Sequence, residues 1–234
     1  MTVPRRPGGA QRIPEPTRRR DAGPPVWTGR EASFDLTTVV ARLVEHESAR
    51  AEAPSPEPHE RVSAVLLALV DGPRGAEVLL TRRTEHLSSH RGEISFPGGR
   101  LDEGEDVVSA ARREADEEVG IDPSSVRVVA RLSPISTFVS RSFIVPVVAT
   151  IEQRPELRPN PSEVDRAFWT PLVELVRADT FDWEWWTFSR RDDTERPMFF
   201  FHLDDETVWG ATARLLHELL CVVHGANHFD LPAW

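Results

Sequence analysis

Gly99 to Ile121 reads GRLDEGEDVVSAARREADEEVGI, a run of acids spaced along a helical period. A Phe96-Pro97-Gly98-Gly99 turn leads in, and the spacing predicts a helix over roughly 105–119 closed by Gly120 as its C′ residue. On such a helix Glu114 and Glu118 are i,i+4 neighbours and Glu117 sits beside both, so three negative charges share one wedge of about 100°. Like charges at that spacing repel and weaken a helix. Val107, Val108, Ala111, Ala115 and Val119 form the apolar stripe, and Glu118 projects between Val107 and Ala111, at the edge of the core. A lone carboxylate there is costly, and a bound divalent cation would relieve both the repulsion and the burial. The plainer alternative is a solvated acidic face partly neutralised by Arg113.

Outward from this helix, composition sets the bounds. The chain has 234 residues, enough for one sizeable core, and a net charge of −10, which argues against nonspecific nucleic-acid binding. Cys221 is the only cysteine, so no intramolecular disulfide can form and a reducing cytoplasm is the natural setting. The longest apolar run, Val62 to Val70, is too short to span a bilayer, and no membrane association is expected. Residues 1–30 hold seven arginines against two acids, a net +5, leaving −15 on residues 31–234. This segment lacks an apolar signal region and reads as a disordered basic tail, either inert or in touch with anionic partners or a neighbouring subunit. A homodimer is an open option.

The remainder, residues 31–234, reads as one domain. It begins with a helix over 35–46 capped by Asp35 and a Pro-rich linker over 51–60. Strands are expected at 62–70, 78–82, 126–132, 143–151, 167–170, 183–188 and 198–203, and a closing helix at 208–224. Strands on both sides of a central helix, without strict alternation, suggest an α+β or α/β/α sandwich. The late aromatics, Trp183, Trp185, Trp186, Phe188 and Phe199 to Phe201, could stack a nucleobase, but strand propensities favour core filling.

The acidic stretch resembles the Nudix box, whose pattern is Gly, five residues, Glu, seven residues, then Arg-Glu-aliphatic-any-Glu-Glu-any-Gly-aliphatic. Here it is filled by Gly99, Glu105, Arg113, Glu114, Glu117, Glu118, Gly120 and Ile121, with Ala115 at the first aliphatic position as the one departure. The resemblance implies a mixed β-sheet packed between helices and a metal-dependent hydrolase of phosphoanhydrides. It implies Mg²⁺ or Mn²⁺ held by Glu114, Glu117, Glu118 and the carbonyl of Gly99, with Glu105, Arg113 and Gly120 structural in the box. Glu117 is the candidate for activating water. Glu163, in Pro161-Ser162-Glu163-Val164, competes for that role or is a solvated loop residue.

Upstream, Leu79, Leu80, Thr81, Arg83, Gly92 and Phe96 to Gly99 match an additional motif of coenzyme A pyrophosphatases within the Nudix family. Thr84 stands where that motif has Ser or Ala, and Ser88 where it has Arg, which removes a cation expected near an anionic substrate; Arg91 is a possible substitute. Phe168 to Leu172 and Trp209 to Ala213 also resemble the subgroup. Arg83, Arg91, His86, Phe96 and Gly98 are thus the implied substrate contacts, with His86 and His90 alternatively capping the hairpin. The implied reaction splits coenzyme A or acyl-CoA to 3′,5′-ADP and (acyl-)4′-phosphopantetheine. ADP-ribose or a nucleotide sugar is the alternative substrate, and a non-catalytic nucleotide-sensing module the alternative role.

Overall fold

The apolar run at Val62–Val70 is hydrophobic on both parities, the pattern of a strand covered on two faces. In the computed structural model, which describes residues 4–49, 55–57, 59–87, 89–137, 141–189 and 194–226, that run lies at the centre of a mixed sheet. Strand β2 (Arg61–Gly72) pairs in parallel with β8 (Ser142–Ile151) and antiparallel with β3 (Gly75–Arg83). The short strand β5 (Gly98–Arg100) pairs with the first half of β2, while β4 (Ile94–Ser95) and β9 (Val164–Pro171) pair with β3. β6 (Val126–Arg131) and β7 (Ile135–Ser136) complete the sheet against β8.

Alternate residues of β2 feed two cores. Ala64, Leu66, Ala68 and Val70 pack on helix α2 (Val107–Val119) through Ala110, Ala111, Ala115 and Val119. Leu67 and Leu69 face the other way, toward Val39 and Leu43 of α1 (Leu36–Ala49) and Leu216, Leu219 and Leu220 of α4 (Gly210–Val223). A sheet between helical layers is the sandwich expected from the pattern. Helix α1 starts where predicted, with the Asp35 carboxylate accepting the Thr38 N–H at 3.1 Å, and it runs past the expected end. Of the Pro-rich linker, 51–54 and 58 lie outside the described residues. Among the described residues no helix is long and apolar enough to cross a membrane.

A second sheet has the order β1-β10-β11-β12, from β1 (Arg18–Asp21), β10 (Phe181–Thr187), β11 (Arg196–His202) and β12 (Thr207–Val208). Its aromatics fill cores. Phe181, Trp183, Phe199 and Phe201 join the α1/α4 side, and Trp186, Met198 and Phe200 cluster with Ile13 and Trp209 on the other. A four-residue helix, α3 (Leu172–Leu175), joins β9 to this sheet.

The reading of residues 1–30 as a disordered tail is corrected here. From Pro4 onward the segment lies on the second sheet, because its arginines meet acids of the body and its aromatic residue finds the core. Arg5 pairs with Asp182 at 2.6 Å, Arg6 with Asp204 at 2.7 Å and Glu174 at 3.1 Å, and Arg20 with Glu195 at 2.7 Å. Trp27 is buried beside Phe181, their ring centroids 4.6 Å apart.

Candidate active site

Helix α2 is built to present its acids at a fixed place. Asp106 caps its start, one carboxylate oxygen accepting the N–H groups of Val108 at 2.9 Å and Ser109 at 3.1 Å, so Glu105 lies just outside the helix. Gly120 ends it in the left-handed conformation, φ +72°, with its N–H on the Asp116 carbonyl at 2.8 Å. The last free carbonyls are met from outside: Arg158 donates its N–H to Val119 and Asn160 to Glu118, both at 2.8 Å. That docking carries the 160–163 loop to the site, where the Glu163 carbonyl accepts the Thr84 N–H at 2.9 Å.

The glycine turn closes the opposite wall. A Cβ on Gly98 would run into the backbone of Ala64, and one on Gly99 into the Glu114 carboxylate. Backbone bars a side chain at Gly98, whereas one at Gly99 would have to displace the Glu114 carboxylate. The Gly98 N–H donates to Glu118 Oε2 at 3.3 Å. Glu118 is 3% exposed, and burial pushes its carboxyl up to about 8, with Arg83 pulling back and Glu114 and Glu163 pushing further. Arg83 Nη1 stands 3.8 Å from Glu118 Oε1. Glu114 is also shifted up by burial, against the pull of Arg113 and with a push from Glu117 and Glu163.

Arg113 organises the flank. It makes two contacts of 3.0 Å with Glu105, reaches Glu114 at 2.9 Å and Glu117 at 3.1 Å, and donates to the Arg100 carbonyl at 3.0 Å. Its hydrogen bond holds the Glu105 carboxyl below the usual range, and Glu105 also accepts the Asp102 N–H at 3.0 Å. These bonds make Glu105 and Arg113 a brace between loop and helix.

The structure thus gathers Glu114, Glu118, Glu163, Arg83, Gly98 and Gly99, and it sets Glu117 on the exposed rim. His86 and Arg91 lie exposed on the loop after β3, where Arg91 Nε donates to the Leu87 carbonyl at 2.5 Å. Ser88 lies outside the described residues. Phe96 is a correction: it is 3% exposed in the α1/α4-side core and not open to a substrate, because β4 turns it inward beside Leu80 and Ile94. Sequence reasoning missed Glu206, which is fully buried and reached by Arg82 at 3.4 Å, Arg166 at 3.5 Å and Gln11 at 2.5 Å. Its setting, Asp204-Asp205-Glu206, looks like any solvated turn. No periodic signal marks it.

Among the described residues no three His, Cys, Asp or Glu side chains already converge as a ready ligand set; Glu114 and Glu117 are turned to Arg113. The donor chemistry nevertheless suits a divalent cation. Two carboxylates, Glu114 and Glu118, are held against the Gly98-Gly99 turn with their charged forms disfavoured by burial, and hard oxygen donors match Mg²⁺ or Mn²⁺.

Carboxylates on a capped helix thus stand against a glycine turn, with an arginine beside the buried one. The NUDIX domain family model matches residues 59–191, and the chain belongs to the Nudix family. An uncharacterized Nudix hydrolase NudL of Photorhabdus laumondii is 34% identical over 163 residues, spanning 69% of this chain and 84% of that protein. Nudix hydrolase 22, chloroplastic, of Arabidopsis thaliana is 36% identical over 176 residues, 69% of this chain but only 55% of the plant protein. The crystal structure of a Nudix hydrolase from M. smegmatis, RenU, aligns with a TM-score of 0.43 at 24% identity, covering 50% of this chain and 73% of that one.

Proposed function

We propose that this chain hydrolyses the pyrophosphate bond of coenzyme A or acyl-CoA, releasing 3′,5′-ADP and (acyl-)4′-phosphopantetheine. Membership of the Nudix family makes it a pyrophosphohydrolase; the substrate is the finer step. The observation that carries it is Arg83, the arginine of the upstream motif, poised 3.8 Å from the buried carboxylate of Glu118. A guanidinium there can meet a diphosphate oxygen beside Glu114 and Glu118.

Glu114, Glu118, Glu117 and the Gly99 carbonyl are the groups that would hold Mg²⁺ or Mn²⁺. When bound, the cation supplies charge neutralisation of the diphosphate and Lewis acidity. Arg83 orients the diphosphate, with Arg91 and His86 on the neighbouring loop toward its flanking groups. Water adds to one phosphorus, the P–O bond to the bridging oxygen breaks, and the departing phosphate carries away that bond's electrons. The proton from the water passes to a carboxylate, Glu117 on the rim or Glu163 across the site. Glu163→Gln and Glu117→Gln separate the two: the true base loses about 10²–10⁴ in kcat, with the divalent-ion affinity retained if the residue is not also a ligand.

Incubation with coenzyme A and Mg²⁺ or Mn²⁺, followed by separation of products, tests the substrate. Formation of 3′,5′-ADP is the expected result, and its absence with both ions removes the coenzyme A reading. Ser88 favours a second reading, in which ADP-ribose or a nucleotide sugar is preferred. Comparison of kcat/KM across such a panel for the wild type and Ser88→Arg decides between them. Tight nucleotide binding without turnover, unchanged by Glu118→Gln, would instead mark a sensing module.

A further inference from the structure

The motif loop between Arg83 and Ile94 holds two left-handed residues, His90 at φ +55° and Gly92 at φ +64°. A non-glycine residue in that region persists where surrounding contacts over-determine it. One restraint is local: His90 Nδ1 and the Glu93 carboxylate lie 2.9 Å apart. Another comes from far away in sequence. Gln11 Nε2 donates to the Gly92 carbonyl at 3.1 Å and to Glu206 Oε2 at 2.5 Å, while Gln11 Oε1 accepts the Thr207 N–H at 2.8 Å. One side-chain amide thus ties the loop, the buried carboxylate and β12 together.

The chain is shaped to bring it there. Gly9 donates its N–H to Thr207 Oγ1 at 3.1 Å, and Gly8 donates to the Leu203 carbonyl at 2.9 Å. Side chains at either glycine would strike Thr207 or Gln11 itself. The ion pairs of Arg5 and Arg6 hold this stretch from one end, and Arg20 with Glu195 from the other.

From Gln11 a line of direct contacts runs to the acidic site. Gly92 precedes Glu93, whose carbonyl accepts the Arg83 N–H at 3.0 Å. Arg83 in turn faces Glu118. On the second branch, Glu206 pairs with Arg82, the residue before Arg83, at a β-bulge in the β3–β9 pairing. A bulge re-aims the side chains beside it. Without Gln11, Glu206 loses a donor and Gly92 loses its anchor.

We infer that Gln11, carried on the basic N-terminal strap and outside the segment matched by the family model, is a positioning residue that sets the loop bearing His90, Arg91 and Gly92 and, through it, Arg83 for the substrate. This rests on the active-site reading above. The strap acts on substrate affinity through Arg83.

Two readouts on the full chain test it. Hydrogen–deuterium exchange of peptides covering 89–95 needs no substrate: Gln11→Ala speeds exchange there, and unchanged exchange overturns the inference. Steady-state kinetics on the best substrate of the wild type gives the second: KM rises about tenfold, the scale of one lost hydrogen bond, with kcat within about twofold. An unchanged KM, or an equal rise in Arg20→Gln at the far end of the strap, overturns the positioning role in favour of a general loss of stability. Gln11→Met, which keeps the volume and drops the polar atoms, repeats both readouts if the alanine variant fails to fold. A wild type that cleaves no nucleoside diphosphate derivative would refute the proposed function while the exchange experiment still decides the strap.

Discussion

Glu118 is one carboxylate asked to sit where carboxylates are unwelcome. Its upward shift to about 8 has a thermodynamic consequence in the metal-free protein. Between about pH 4.5 and 8 the unfolded chain has released this proton and the folded chain still holds it, so stability falls as pH rises through that window. In chelator at pH 8, Glu118→Gln is therefore expected to unfold at higher temperature than the wild type, by a free energy on the order of 1–3 kcal/mol. At pH 4.5 the two converge. Adding Mg²⁺ stabilises the wild type more than the variant, which is read from the same melting curves. On the proposed function, activity of the variant is expected to drop by orders of magnitude. The position of Glu118 on the apolar stripe was legible from helical spacing alone. That Arg83 faces it, and that Phe96 does not face the substrate, were not: both depend on how β3 and β4 pair, which no local pattern encodes.

At the scale of elements, α2 and the long strands were readable because each carries a full period of burial over several turns or residues. The short strands were not, since the two residues of β4, β7 and β12 and the Gly-Gly-Arg of β5 display no period. β1 is the extreme case: Arg-Arg-Arg-Asp has no apolar residue, and its order comes from backbone pairing to β10 and from Arg20 lying 5.5 Å over the Trp185 ring. The end of α2 offers a direct test. Gly120→Ala places a Cβ in the left-handed region and 3.1 Å from the Arg158 Cβ. The expected cost is about 1–2 kcal/mol by chemical denaturation. Activity should fall as well, because Arg158 and Asn160 hold the loop that delivers Glu163.

At the scale of the whole molecule, burial and charge distribution decide the outcome. Cys221 lies fully buried on α4, and burial first, then Glu218, push its thiol up to about 12. Between about pH 9 and 12 the unfolded chain loses this proton while the folded chain keeps it, so the thiol adds to a loss of stability on the alkaline side. Cys221→Ala should show a shallower alkaline slope, and the native thiol should resist a disulfide reagent that reacts at once in denaturant. The charge asymmetry, +5 on residues 1–30 against −15 on the rest, is plain from composition, but composition does not show that it draws the segment onto the body. The acidic helix, the strands with a burial period and the family could all be read from the chain alone, because spacing along one element is a local property. Only the tertiary structure decided that the basic segment folds back as a strap, that Glu206 is buried and that Gln11 reaches Gly92. Those contacts join residues 81 to 198 positions apart, and complementary charge and shape across such distances leave no periodic trace in the chain.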